Sequence, residues 1–199
     1  MSSDQPASPA ARADAVASAL IEGGHLEDGA LESLEPMVES LDWHNGSKVI
    51  ARAWTDPAYR GHLLTDGTAA CAELGFSGPE GEYIVALEDS ATLKNLIVCT
   101  QCSCTAWPIL GLPPDWYKSP AYRAQVVREP RRVLAEMGCH VGDDTKVRVW
   151  DTTAETRYIV LPPRPEGTAN WTEDQLATLV TREVMIGVAM IEPNPAQPS

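Results

Sequence analysis

The sequence predicts an α+β fold, a helical N-terminal arm followed by a layered α/β domain. Three observations carry the prediction. As far as residue 76, apolar side chains recur at intervals of three and four between capping and proline signals, the spacing of helices. Beyond Gly78-Pro79-Glu80-Gly81 the pattern changes to short runs rich in β-branched residues, which read as strands. Strand and helix patterns then mix to the end of the chain, as in α+β domains. No internal repeat is evident.

Taken in order, residues 1–12 are expected to be a flexible N-terminus and 13–76 the helical arm. Within the arm, 14–21 reads as a short helix closed by Gly23-Gly24. A second spans 29–41, where Leu31, Leu34, Val38 and Leu41 share a face and Pro36 is placed to kink or interrupt it. A third, over 47–54, groups Val49, Ile50, Ala53 and Trp54. Asp56-Pro57 has the form of an N-cap with proline in the first turn and opens a helix to Leu64. Asp66 caps another that ends at Gly75. This front carries many apolar side chains, for which packing on the chain's own C-terminal half is one outlet.

Residues 77–191 make up the predicted α+β domain. Its strands are 83–87, 95–98, 146–150, 157–161 and 184–190. Its helices are 121–128, 130–137 and one that follows Thr172, whose partner Gln175 completes a capping box, and runs to Val180. A Pro-rich tail, 192–199, is expected to be flexible.

With 199 residues, one domain plus an arm is the expected organisation. A composition of 44% hydrophobic and 22% charged residues suits a globular chain with a real core. The formal net charge of −13 repels phosphate backbones and anionic lipid, so neither nucleic acid nor membrane is an expected partner. No apolar run approaches the roughly 20 residues that span a bilayer. The N-terminal stretch lacks the basic leader and apolar segment of a secretion signal. Five cysteines form no evenly spaced oxidised framework, and a cytoplasmic location is expected.

Three of those cysteines fall in one loop, Cys99-Thr100-Gln101-Cys102-Ser103-Cys104, directly after the predicted strand 95–98. A strand end is a rigid place to hang ligands. Thiolates this close repel one another unless a cation neutralises them, and a disulfide between such near neighbours is strained and leaves one thiol over. A structural zinc site needs a fourth ligand at compatible spacing. The only candidates are the adjacent pair Cys139-His140 and the isolated Cys71. An iron–sulfur cluster usually wants four thiolates. A redox dithiol leaves Cys104 without a role. A sharper reading beside these is a self-contained chelate. With all three sulfurs on one ion, the Ser103 and Cys104 amide nitrogens are drawn close enough to bind a strongly Lewis-acidic trivalent metal, leaving one position open for catalysis.

The loop and its continuation, Trp107-Pro108-Ile109-Leu110-Gly111-Leu112-Pro113-Pro114-Asp115-Trp116-Tyr117-Lys118, closely resemble nitrile hydratase α subunits. The resemblance runs from Leu31 to Ile191 and includes Asp66-Gly67-Thr68-Ala69-Ala70-Cys71, Gly81-Glu82-Tyr83-Ile84-Val85, Val126-Val127-Arg128-Glu129-Pro130, Val149-Trp150-Asp151, Arg157-Tyr158 and Leu161-Pro162-Pro163-Arg164-Pro165. It implies hydration of small nitriles to amides by one low-spin, non-haem Fe(III) or a non-corrin Co(III) per chain. It also implies a ligand set of Cys99, Cys102 and Cys104 sulfurs with Ser103 and Cys104 main-chain nitrogens. Cys102 then becomes a sulfinic acid and Cys104 a sulfenic acid, with Cys99 a plain thiolate. Cys104, Ser103 and Cys102 are the catalytic positions it implies, with either the Cys104 sulfenate or a metal-activated water as nucleophile.

Around these, the resemblance places Trp107 and Glu80 at the substrate pocket and Asp151, Glu155 and Arg157 in a supporting polar group. The bare residues leave other readings open. Ser103 fits equally as a small residue beside the metal, Trp107 as core or interface, and Glu155 with Arg157 as an exposed pair. Cys71 and Cys139 read as small buried residues, and the four histidines share no motif. The implied partners are a β subunit, in an αβ heterodimer that pairs into α2β2 with the arm wrapped on β, and a metallochaperone or activator for metal loading.

Two positions depart from the family pattern, Gln101 where Leu is usual and Glu80 where Gln is frequent. Thr100 is the residue commoner in cobalt members, where iron members usually have Ser. The segments around Cys71, Tyr83 and Thr105-Ala106-Trp107 are closer to iron members, and iron is the expected metal. Thiocyanate hydrolase shares the claw and is the alternative enzyme, and a zinc-binding interaction module is the alternative of another class.

Overall fold

The computed structural model describes residues 8–78 and 82–191. The chain divides into two compact units, one reaching Ser40 and the other beginning at Leu41.

In the first unit, helix α1 (Pro9–Glu22) starts where Ser8 accepts the Ala11 N–H at 3.1 Å and proline occupies the first turn. Residues 9–12 therefore belong to a helix rather than to the expected flexible segment. Helix α2 (Ala30–Glu39) continues through Pro36. α1 buries none of its residues, and Val16, Leu20, Leu31, Leu34 and Val38 all stay exposed. The helical period of these stretches is real, but their apolar stripe is left uncovered.

The second unit opens with α3 (His44–Thr55), α4 (Pro57–Thr65) and α5 (Gly67–Glu73). Asp56 accepts the Ala58 and Tyr59 N–H groups at 2.9 and 3.1 Å ahead of Pro57, and Asp66 accepts from Ala69 at 3.0 Å. These three helices, grouped with the arm by sequence, pack within this unit. Val49, Ile50, Leu63 and Cys71 are fully buried, and α4 and α5 lie against β1 (Tyr83–Glu88).

Two parallel strand pairs form the centre. β1 pairs with β4 (Thr156–Leu161), and β2 (Leu93–Val98) with β3 (Lys146–Asp151), while β2 lies against β4. Parallel pairing needs a long crossover. Between β2 and β3 it is made by α6 (Trp107–Leu110), α7 (Asp115–Lys118), α8 (Pro120–Arg128) and α9 (Pro130–Glu136). The first two are single turns that the sequence pattern did not reveal.

β2 is buried from Lys94 to Val98, including two polar residues. Lys94 Nζ meets Asp89 Oδ2 at 2.8 Å, and the Asn95 N–H donates to Asp89 Oδ1 at 2.7 Å. Asn95 Nδ2 donates to the Glu88 carbonyl at 2.8 Å, and Trp150 Nε1 donates to Asn95 Oδ1 at 2.9 Å. Buried polar groups persist in a core when they are paired in this way. The network also ties β2 to β3, the two strands that end at the cysteine loop.

After β4 come α10 (Glu173–Ala177), with both hydrogen bonds of the Thr172–Gln175 capping box formed, and α11 (Arg182–Ile186). The expected strand over 184–190 does not exist. The Thr181 side chain accepts the Val184 N–H at 3.3 Å and starts a helix, and Gly187 at φ 93° ends it. The Val188 N–H reaches back to the Glu183 carbonyl at 2.9 Å, closing a Schellman turn. A short apolar run has the same composition in a buried strand and a buried helix, so periodicity could not separate them.

Candidate metal centre

The centre grows from the register of the β2–β3 pair. Val98 and Asp151 are opposite partners at the two strand ends, and the Thr152 N–H continues the ladder to the Val98 carbonyl at 2.8 Å. The chain leaves β2 as a loop, and Asp151 captures it at once. The Thr100 N–H donates to Asp151 Oδ1 at 2.9 Å and the Thr100 hydroxyl to Oδ2 at 2.6 Å. From the other side, Arg123 Nη1 on α8 donates to the Thr100 and Gln101 carbonyls at 3.2 and 3.0 Å.

The loop then turns back at Ser103, whose φ of 68° is the only positive value at a non-glycine position among the described residues. A left-handed backbone costs about 1–2 kcal/mol at a residue with a Cβ. Such strain survives where the surroundings over-determine it, commonly at functional sites. The Ser103 hydroxyl donates to the Cys102 carbonyl.

The result is convergence of three free thiols. The Cys99, Cys102 and Cys104 sulfurs all lie within 4.8 Å of one another, with Cys99–Cys102 at 3.5 Å and Cys102–Cys104 at 2.7 Å. Cys99 is buried, Cys104 half-buried and Cys102 exposed. An aromatic floor supports them. Trp116, Tyr117 and Tyr122 pack with ring centroids 5.0–5.8 Å apart, Tyr117 Oη donates to the Cys104 carbonyl at 3.4 Å and Tyr122 Oη to the Ile97 carbonyl at 2.8 Å.

The thiols are electrostatically unequal. Burial opposes ionisation of Cys99, but N–H groups of Cys102, Cys104 and Gln101 directed at its sulfur outweigh that and hold it below the ordinary thiol value. Burial, then the Cys102 thiol beside it, pushes Cys104 up to about 12, with Arg157 pulling the other way. A cation bound at that sulfur would stabilise its thiolate and so favour release of the proton to solvent.

The donor set fits a metal and not a structural zinc. Among the described residues no histidine or carboxylate joins the three sulfurs, whereas structural zinc takes four protein ligands. Asp151 is already committed to Thr100, and His140 is exposed elsewhere on the chain.

Of the other positions singled out by sequence, Arg157 is buried at the start of β4, where it donates to Glu82 Oε1 at 2.7 Å and to the Thr153 carbonyl. Its charge bears on Cys104. Glu155 is exposed, and its carbonyl accepts the Tyr83 N–H at 2.7 Å. Trp107 opens α6 and is half-buried, with a buried Nε1–H that has no partner among the described residues. Glu80 lies outside the described residues. Sequence reading missed Arg123, Tyr117 and Tyr122. They lie 13 or more residues beyond the loop and reach it only through the crossover, so no local spacing announced them.

A self-contained tri-cysteine claw at the end of a parallel strand pair defines a class of protein, one that carries a cysteine-ligated metal on its own loop. The nitrile hydratase, alpha chain, family matches residues 7–189. The low-molecular weight cobalt-containing nitrile hydratase subunit alpha of Rhodococcus rhodochrous is 50% identical over 182 residues, covering 91% of this chain and 88% of that one. A nitrile hydratase subunit alpha of Rhodococcus sp. is 51% identical over 185 residues, 92% and 93% of the two chains. A solved structure of Fe-type nitrile hydratase from Comamonas testosteroni Ni1, a double mutant with two histidines replaced by alanine, superposes with a TM-score of 0.87 at 43% identity, covering 96% of this chain and 98% of that one. The chain belongs to the nitrile hydratase alpha-chain family.

Proposed function

We infer that this chain is the metal-bearing α subunit of a nitrile hydratase, adding water to R–C≡N to give R–CONH2. The observation that carries the inference is the convergence of the Cys99, Cys102 and Cys104 thiols at the end of β2, in a chain of that family. The sulfurs of these three residues, with the Ser103 and Cys104 amide nitrogens, are the atoms that would hold the ion. When bound, the ion supplies Lewis acidity toward nitrile or water. Iron is proposed, because the segments around Cys71, Tyr83 and Thr105 resemble iron members of the family; Thr100 resembles cobalt members, and cobalt is the alternative.

The chain's own groups have distinct parts in this reading. Cys102 and Cys104, the two more accessible thiols, are proposed to carry the sulfinic and sulfenic oxygens, and buried Cys99 to remain a thiolate, since oxidation follows exposure as well as thiolate character. Arg157, fixed by Glu82, holds negative charge at the Cys104 sulfur. Ser103 forces the turn that brings Cys102 and Cys104 together. Trp107 is proposed to line the substrate pocket, its Nε1–H being a donor without a partner among the described residues; Glu80, the other residue that the resemblance assigns there, lies outside the described residues. Asp151 supports the loop through Thr100, and Glu155 sits on the turn that leads into Arg157.

The α subunit is proposed to act with a β subunit, in an αβ heterodimer that pairs into α2β2, after loading by a metallochaperone or activator. The uncovered apolar residues of α1 and α2 are the surface proposed to pack on that partner. No described helix is long and apolar enough to cross a membrane, and the cytoplasm is the proposed location.

The test uses protein co-expressed with its natural partner, assayed on a small aliphatic nitrile and on thiocyanate, with mass analysis of the Cys99–Cys104 peptide. Amide formation, no turnover of thiocyanate and a gain of about 32 Da on Cys102 are expected. Thiocyanate hydrolysis without nitrile hydration, or three unmodified cysteines in an active metal-loaded sample, would overturn the assignment or its oxidised claw respectively.

A further inference from the structure

Arg123 grips the claw from the side opposite its sulfurs. Its Nη1 donates to two successive carbonyls, Thr100 at 3.2 Å and Gln101 at 3.0 Å. No cis peptide bond is present among the described residues, so in each of these planar groups the N–H points away from the C=O. Fixing the Gln101 carbonyl on Arg123 therefore turns the N–H of the same peptide, that of Cys102, toward the far side, where it meets Cys99 Sγ at 3.3 Å. The second bond, to the Thr100 carbonyl, holds the preceding peptide on the same guanidinium.

Arg123 is itself held in place. Its neighbour on α8, Tyr122, is buried and donates to the Ile97 carbonyl of β2, so the first turn of α8 is tied to the strand end and to the loop at once. The guanidinium Nε is buried with no partner among the described residues. A buried unpaired donor lowers stability, so the side chain is poorly explained as a device for stability alone.

We propose that Arg123 is a positioning residue of the metal centre, aiming the Cys102 N–H dipole at Cys99 Sγ and so setting how strongly that thiolate donates to the bound ion. The proposal rests on the claw reading given above. Each N–H···S contact withdraws electron density from the sulfur lone pairs. It lowers their energy and raises the energy of the thiolate-to-metal charge-transfer transition. Partners of this kind commonly tune a metal site as much as its direct ligands do.

The experiment compares the metal-loaded complex of wild type, Arg123→Lys and Arg123→Met with the partner subunit, reading the charge-transfer band and the rate of metal loss to excess chelator. Arg123→Met removes both carbonyl bonds together with the unpaired Nε–H. Its band is expected at longer wavelength, and with the loop no longer braced through either carbonyl the metal is expected to be lost about 10–100-fold faster. Arg123→Lys keeps a cation within reach of a carbonyl and is expected to fall between the two. If Arg123→Met yields no folded complex, the Lys variant decides by the same shift. Bands at the wild-type position in the variants would overturn the proposal. A wild-type complex with no such band would instead overturn the claw reading beneath it.

Discussion

Gly187 closes α11 at φ 93°, and a Cβ built there runs into the Asn95 carbonyl oxygen of β2 and lies 3.2 Å from the Leu96 Cα. Gly187→Ala is therefore penalised twice. The left-handed backbone costs about 1–2 kcal/mol for a residue with a Cβ, and overpacking against strand backbone adds about 1–3 kcal/mol. Gly138 provides the control, since it has φ 81° but nothing within 4 Å of its Cβ position. Gly138→Ala should pay the first cost alone. For a chain of this size each kcal/mol moves Tm by roughly 2–4 °C. Gly187→Ala should then lower Tm by about 4–20 °C and Gly138→Ala by about 2–8 °C, followed by circular dichroism on the two variants in the same complex. Equal losses would refute the close approach of α11 to β2. No loss at Gly187 would restore the strand expected over 184–190, where alanine is accepted more easily than glycine.

Other outcomes follow from the same structure. Asp151→Ala removes two hydrogen bonds to a charged acceptor, each worth about 1.5–3 kcal/mol at most, and should reduce metal content on elemental analysis. Thr100→Val, which spares the N–H bond, should reduce it less. Lys94→Met leaves the Asp89 carboxylate buried without its cation, a loss of about 3–5 kcal/mol visible as a lower urea midpoint; Lys94→Met with Asp89→Asn should recover part of it. Burial pushes the Cys71 thiol from 9.0 up to about 12 in the folded chain. The folded state keeps that proton while the unfolded state releases it, so stability falls as pH rises between those two values, by at most about 1.4 kcal/mol per unit. The slope of stability against pH from 9 to 11 should be shallower in Cys71→Ala; an unchanged slope would show that Cys71 is not the group responsible.

What the sequence made legible was local. Asp56-Pro57, Asp66 and the Thr172–Gln175 box each announce a helix start through side chains within three residues of the groups they cap, and all three caps are formed. The claw was legible for a similar reason, since three thiols in six residues leave few chemical options. The supports of the claw were not. Asp151 reaches Thr100 because β2 and β3 pair in one register, and Arg123 reaches Gln101 because α8 folds back across the loop. Resemblance pointed to Asp151, but nothing in spacing gave its bond to Thr100, and Arg123 had no signal at all. The strand expected over 184–190 failed where apolar composition outweighed two small cues, Thr181 and Gly187, that together specify a capped helical turn.

The most direct test of the claw is metal content and nitrile hydration measured together in the wild-type complex and in Cys99→Ser, Cys102→Ser and Cys104→Ser, with Cys71→Ala and Cys139→Ala as buried controls. One iron or cobalt ion per chain with amide formation is expected in the wild type. Both should be lost in each of the three loop variants and kept in the two controls. Full hydration by Cys104→Ser, or stoichiometric zinc in an inactive wild-type complex, would contradict a catalytic metal held by these three sulfurs.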